Sequence, residues 1–126
     1  MVGGEKKIYK KNLKVLKMLG IPNYVGKPSS GQAAKLANQI IVGITIGAVS
    51  EAIILSKKLG LKPTNVLKAL KGGWADSKIL QTHGLRMIKE DFKARGKVAS
   101  QLKDMENILN TAKMNKINPV SYTHLT

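Results

Sequence analysis

Apolar and polar positions follow a helical period over most of the chain. In "EKKIYKKNLKVLKML", residues 5–19, Ile8, Leu13, Val15, Leu16 and Leu19 fall near one face while lysines fill the other, and Gly20 follows as a stop. This predicts an amphipathic first helix. "GIPNYVGKPSSG" has the Gly, Pro, Asn and Ser density of a loop, with Tyr24 and Val25 as a short extended piece. From Leu36 to Ser50 no charged residue occurs, and the spacing predicts a helix from about Gln32 to Leu59, closed by Gly60, where left-handed backbone would suit glycine. At ~1.5 Å per residue such a helix is about 40 Å long, so several helices or a second subunit must pack on it. Pro63 stands at a first helical position ahead of Val66, Leu67 and Leu70, and Gly72-Gly73 ends that segment. Asp76 or Ser77 then caps a short helix carrying Ile79 and Leu80. Val98, Leu102, Met105, Ile108 and Leu109 predict a last helix. No segment shows sustained strand alternation, so the pattern predicts an all-α chain.

Composition narrows the chemistry. The 126 residues suit one domain with a modest core, and the absence of cysteine removes disulfides, thiolate metal sites and cysteine nucleophiles. His83 and His124 are too far apart to point to a metal centre, and no metal is expected. The net charge of +15 would ordinarily raise a polyanionic partner. Outside the first twenty positions, however, the lysines are scattered, and Tyr9, Tyr24, Trp74, Phe92 and Tyr122 are too dispersed to form a base-stacking platform. No nucleic acid partner is expected. The start "MVGGEKKIYKK" is no signal peptide, and the charge-free segment falls short of the roughly 20 residues that span a bilayer. A buried helix in a cytoplasmic protein, with no membrane partner, is the expectation.

One lysine needs explaining. Lys35 stands at the mouth of the uncharged segment and shares a helix face with Asn38 and Gln39, at offsets of three and four. One ammonium and two amides in that arrangement suit a small polar ligand. At the rim of an apolar core the ammonium would lose hydration, which lowers its pKa toward the range of a general acid or base. The alternative is a lysine snorkelling to solvent beside two amides that satisfy loop backbone. Beyond these residues no self-contained catalytic set is found: no Ser, His and Asp triad, no paired carboxylates, and no phosphate-cradling glycine motif.

"VGKPSSGQAAKLANQ" resembles the glycine-rich loop and catalytic-lysine helix of the β-hydroxyacid dehydrogenases, the family of 3-hydroxyisobutyrate dehydrogenase and tartronate semialdehyde reductase. Three further stretches agree in the same order: "SEAIILSKKLGLKPTNVLKAL", "GGWADSKILQTHGLRMIKEDF" and "ASQLKDMENILNTA". The resemblance covers roughly residues 1–120. It implies the helical C-terminal domain of 6-phosphogluconate-dehydrogenase-like type, with one long buried central helix, preceded by the last helix of a missing Rossmann domain. Residues 1–28 would then be the remnant of the NAD(P)-binding domain and a linker, 29–120 the substrate and dimerisation domain, and 121–126 a non-native tail. The family's Gly-x-Gly-x-x-Gly turn and its Ser-Gly-Gly substrate loop are not in the chain, so Met1 is expected to be an internal methionine or an artificial start.

What the resemblance implies for the site is specific. Lys35 takes the place of the family's general acid/base, and Asn38 or Gln39 that of its substrate-binding amide. Lys103 corresponds to a residue that approaches the cofactor, NAD or NADP, and Asp104 to its partner. Phe92 corresponds to an aromatic lining the site, and Gly31 supports the lysine helix. The partners implied are a small hydroxyacid or semialdehyde and a second copy of the chain. One departure stands out. Where the family reads Gly-x-x-Gly-x-Gly, this chain has Gly26, Ser29 and Gly31, so a positive φ at Ser29 would strain or shift the loop. Without the family, a basic helical module for nucleic acid or a non-catalytic interaction protein of the same descent remains as a rival reading, and the present chain alone is expected to be inactive.

Overall fold

The computed structural model describes residues 1–119, and the chain divides into two compact units, Met1–Gln39 and the residues from Ile40 onward. In the first unit, strand β1 (Val2–Gly3) leads into helices α1 (Lys6–Lys11) and α2 (Leu13–Met18), and then into strand β2 (Tyr24–Gly26). The two strands pair in parallel, Val2 opposite Tyr24 and Gly3 opposite Gly26. A helical crossover between strands is what makes a parallel pair possible, since a tight turn would return the chain antiparallel. The reading as entirely helical is corrected by this pair. Strands of two and three residues are too short to show any alternation, although Tyr24 and Val25 were expected to be extended.

The single first helix is also corrected: it breaks at Asn12, where φ is −99° and ψ is 9°. There the Asn12 side-chain Nδ2 donates to the Ile8 carbonyl over 2.9 Å and the Asn12 backbone amide donates to the same oxygen over 3.1 Å, so side chain and backbone share one acceptor where the helix ends. Two tyrosines then tie the helices to the strands. Tyr9 Oη donates to the Pro22 carbonyl (3.0 Å), Tyr24 Oη donates to the Gly4 carbonyl (2.9 Å), and their rings stand 5.0 Å apart. On the apolar face of α1 and α2 only Leu13 and Leu16 are half-buried, whereas Ile8, Val15 and Leu19 are exposed.

The uncharged segment forms α3 (Ser30–Lys58), a 29-residue helix. Gly60 closes it at φ +74°, as expected for a left-handed cap, and the Leu61 amide reaches back to the Ser56 carbonyl over 2.9 Å. The expectation of a buried central helix is corrected. Only Gln39, Val49, Ile53 and Ser56 along it are buried, while Ile41, Ile54 and Leu55 are exposed. The burial is confined to one stripe because Val49, Ile53 and Ser56 recur at offsets of four and three, and that is the stripe its neighbours cover. By length and composition α3 is also able to cross a membrane, contrary to the estimate from its charge-free stretch, a property that core helices of soluble proteins share.

In the second unit, helix α4 (Pro63–Leu70) carries Pro63 in its first turn. A later helix starts at Lys78, passes through a π-helical turn at Leu80–Gly84, and continues as α5 (Leu85–Ile88). Val49, Ile53, Leu67 and Leu80 form the core of this unit, with Leu70, Met87 and Ile88 packed against it. Burying each such side chain stabilises by roughly 2 kcal/mol. Gly84 lets the elements close: a Cβ there would lie 2.9 Å from Leu67 Cδ2 and 3.3 Å from Val49 Cγ1. Of the two expected caps, Ser77 is the one used. Ser77 Oγ accepts from the Leu80 amide (2.9 Å), and the Asp76 carboxylate accepts from the Gly72 amide (2.8 Å) and from Gln81 Nε2 (2.9 Å). Those bonds, the Gln81 one first, hold the Asp76 carboxyl below its ordinary value. Helix α6 (Val98–Met114) buries Met105, Ile108 and Ala112, whereas Val98 and Leu102, expected on its apolar face, are exposed.

Candidate active site

The first unit brings its glycines against the start of α3. A Cβ on Gly3 would stand 2.6 Å from the Gly31 amide nitrogen and 2.9 Å from the Lys27 carbonyl oxygen, distances no side chain tolerates. Gly31 is similarly close to β1, since its own Cβ would meet the Gly3 nitrogen at 3.2 Å. Backbone therefore packs directly on backbone, and the first turn of α3 is held against β1.

Ser29 ends the approach loop. Its carbonyl accepts the first helical bond, from the Ala33 amide over 3.1 Å, which places it at the cap position of α3. A capping serine has extended backbone and turns its hydroxyl onto the helix amides, but Ser29 has φ +72°. Among the described residues its hydroxyl has no hydrogen-bond partner. The positive φ considered from the sequence is therefore present, carried by a residue other than glycine.

A cleft of about 410 Å³ opens at this point, lined by Met1, Gly3, Ser29, Gly31, Gln32 and Lys35. Gln32 and Lys35 are three residues apart and share a helix face, so an amide and an ammonium both reach it. Lys35 makes no ion pair among the described residues. The expected dehydration of Lys35 is corrected: the residue is exposed, because the buried stripe on its side of α3 begins only at Gln39.

Asn38 and Gln39 behave differently from Lys35. Asn38 is exposed and Gln39 is buried, and Asn38 Nδ2 donates to Gln39 Oε1 over 3.1 Å. The pair follows Lys35 on the helix but does not line the cleft. Gln32 lines it, at the same offset of three from Lys35 but toward the N-terminus.

The remaining site candidates belong to the second unit. Phe92 is exposed, on a loop held by Arg86, whose Nη2 donates to the Asp91 and Lys93 carbonyls at 3.2 and 3.0 Å. Arg86 Nε also stands 3.7 Å from Asp91 Oδ2. Sequence reading had not singled out Arg86, and an offset of five from Asp91 is no helical signature. Without the family, Phe92 and Trp74 would be assigned to the core, yet both are exposed. Lys103 Nζ lies 3.8 Å from Asp104 Oδ1, a sequential pair at the surface that contributes little to stability.

Comparison with known proteins gives this geometry its context. Residues 29–124 match the family described as NAD-binding of NADP-dependent 3-hydroxyisobutyrate dehydrogenase. The chain belongs to this family. It is 42% identical over 119 residues to the 2-hydroxy-3-oxopropionate reductase of Escherichia coli strain K12, covering 94% of the chain and 41% of that protein. It is 36% identical over 103 residues to a probable 3-hydroxyisobutyrate dehydrogenase-like protein, mitochondrial, of Arabidopsis thaliana, covering 82% of the chain and 34% of that protein. Among solved structures, a 3-hydroxyisobutyrate dehydrogenase from Mycobacterium tuberculosis has the same fold, with a TM-score of 0.89 at 23% identity, over 99% of this chain and 46% of that one. The chain thus spans less than half the length of these relatives. The family resemblance read from the four motifs is the family found.

Proposed function

We propose that the complete protein containing this chain is an NAD(P)-dependent oxidoreductase acting on a small β-hydroxyacid or its semialdehyde, with Lys35 as its general acid and base. The observation that supports this most directly is the cleft at the start of α3, lined by Gln32, Ser29 and the Lys35 ammonium, which has no ion pair among the described residues, beside the Gly3–Gly31 contact. The substrates named for its relatives share a short acid skeleton and differ at C2, which bears a hydroxyl in 2-hydroxy-3-oxopropionate and a methyl in 3-hydroxyisobutyrate. A cleft of this size holds such a molecule with room for the ring that must lie beside it.

The chain's residues fit a share of a nicotinamide cofactor. Phe92 offers an exposed ring and Lys103 an exposed ammonium, groups suited to an aromatic amide and its oxygen or phosphate acceptors. When bound, the cofactor supplies the hydride acceptor or donor. Lys35 moves the proton. On oxidation the neutral amine takes the proton of the substrate hydroxyl as the carbon it is attached to becomes a carbonyl, and on reduction the ammonium returns a proton to that carbonyl oxygen. Gln32 orients the acid, and one turn beyond Lys35 the Asn38 amide donates to Gln39 Oε1. No glycine-rich pyrophosphate turn is present in these 126 residues, so the chain alone has no hydride source and is expected to be inactive. A second copy of the helical domain is the partner that suits the exposed apolar side of α3.

Lys35→Ala in the complete protein tests the assignment. Turnover is expected to fall by ~10²- to 10⁴-fold with KM much less affected, because the lost interaction is one made in the transition state. A variant that keeps most of its turnover would remove Lys35 from the mechanism.

A further inference from the structure

Ser29 combines two features that set it apart from an ordinary helix cap. It occupies the cap position of α3 with φ +72°, where glycine would be unstrained, and its hydroxyl bonds to nothing among the described residues. An ordinary capping serine would use that hydroxyl on the helix amides. Here the residue is exposed, its hydroxyl is left to solvent by the fold, and it lines the same cleft as Gln32 and Lys35. Strain retained at a ligand cleft, by a residue whose side chain does nothing for the helix, is a pattern that accompanies recognition.

We infer that Ser29 is a specificity-determining residue that reads the C2 substituent of the substrate, selecting a C2 hydroxyl over a C2 methyl. The inference rests on the function proposed above and deepens it. A serine hydroxyl both donates and accepts, so it pairs with a second hydroxyl of the substrate, whereas a methyl in the same place leaves it unsatisfied. Hydroxyl and methyl are close in size, so shape discriminates poorly between them and hydrogen bonding decides. The rest of the lining agrees. Apart from Met1, the side chains at the cleft are an amide, an ammonium and this hydroxyl, which gives a branched alkyl group little to pack against.

The test compares Ser29→Ala and Ser29→Gly in the complete protein with 2,3-dihydroxypropanoate and 3-hydroxy-2-methylpropanoate as substrates for oxidation. Both variants remove the hydroxyl, but only glycine relieves the positive φ. The wild-type protein is expected to favour the dihydroxy acid, and both variants to lower the ratio of kcat/KM values for the two acids by about 5- to 10-fold, through loss on the dihydroxy acid alone. Ser29→Gly is also expected to melt at a higher temperature than Ser29→Ala. An unchanged ratio in both variants would overturn the inference, and a ratio that moves only in Ser29→Gly would assign the effect to loop position and overturn it too. Failure of the broader reading is distinct: there, the wild-type protein oxidises neither acid, or Lys35→Ala oxidises both at the wild-type rate.

Discussion

The two compact units are built by opposite means. In the unit ending at Gln39, position is set by missing side chains: Gly3 and Gly31 let strand and helix backbones touch, and the polar cleft is what that contact leaves open. In the unit from Ile40 onward, position is set by side chains that are present: Val49, Ile53, Leu67 and Leu80 fill a common apolar space. Damage to the second should therefore be read mainly in stability, and damage to the first mainly in what the cleft can do.

The largest stability effect is expected from Leu80→Ala. Leu80 is 4% exposed, and truncating a leucine that deeply packed costs roughly 3–4 kcal/mol. Urea denaturation should record that loss while the KM of whatever protein remains folded stays near its original value. Gly3→Ala should cost less, about 2–3 kcal/mol, because the two backbones must separate to admit the methyl. Its activity loss should nevertheless exceed that of Leu80→Ala, since Lys35 and Gln32 move with the helix that Gly3 holds. If Gly3→Ala were fully active, the contact would have no bearing on the cleft.

The smallest effect concerns Asp76. Its folded pKa is held below 3.8 by Gln81 and the Gly72 amide, so the stabilisation is present in full above the unfolded value and is lost as pH falls through the folded one. Asp76→Asn should therefore melt slightly lower than wild type at about pH 7, with the gap closing as pH falls below 3.8 and through the folded pKa. A gap that widened on acidification would have the wrong sign for a depressed carboxyl. Substrate preference should not change in either direction.

The same contrast explains what the sequence made legible. Side-chain packing leaves a periodic trace, so α4, α6 and the Ser77 cap could be read directly, as could Gly60 at the end of α3. Backbone contacts leave none. Nothing in "MVGG" alone foretells that Gly3 meets Gly31, and a strand of two residues has no alternation to detect. The break at Asn12 was missed because the added side-chain bond to Ile8 leaves the apolar spacing undisturbed. Within the cleft, Lys35 was visible as the cation bordering an uncharged run, but its neighbours were sought at Asn38 and Gln39, one turn onward, while Gln32 lay one turn back. The exposure of Lys35 could not be read either, because it depends on how far along α3 the covered stripe extends.

The most direct test of the central claim is the turnover of Lys35→Arg in the complete protein, because arginine keeps the positive charge but does not exchange a proton near neutral pH. If Lys35 moves the proton, kcat should fall by at least about 100-fold despite the retained charge. A kcat within about threefold of wild type would contradict proton transfer and reduce Lys35 to an electrostatic contact.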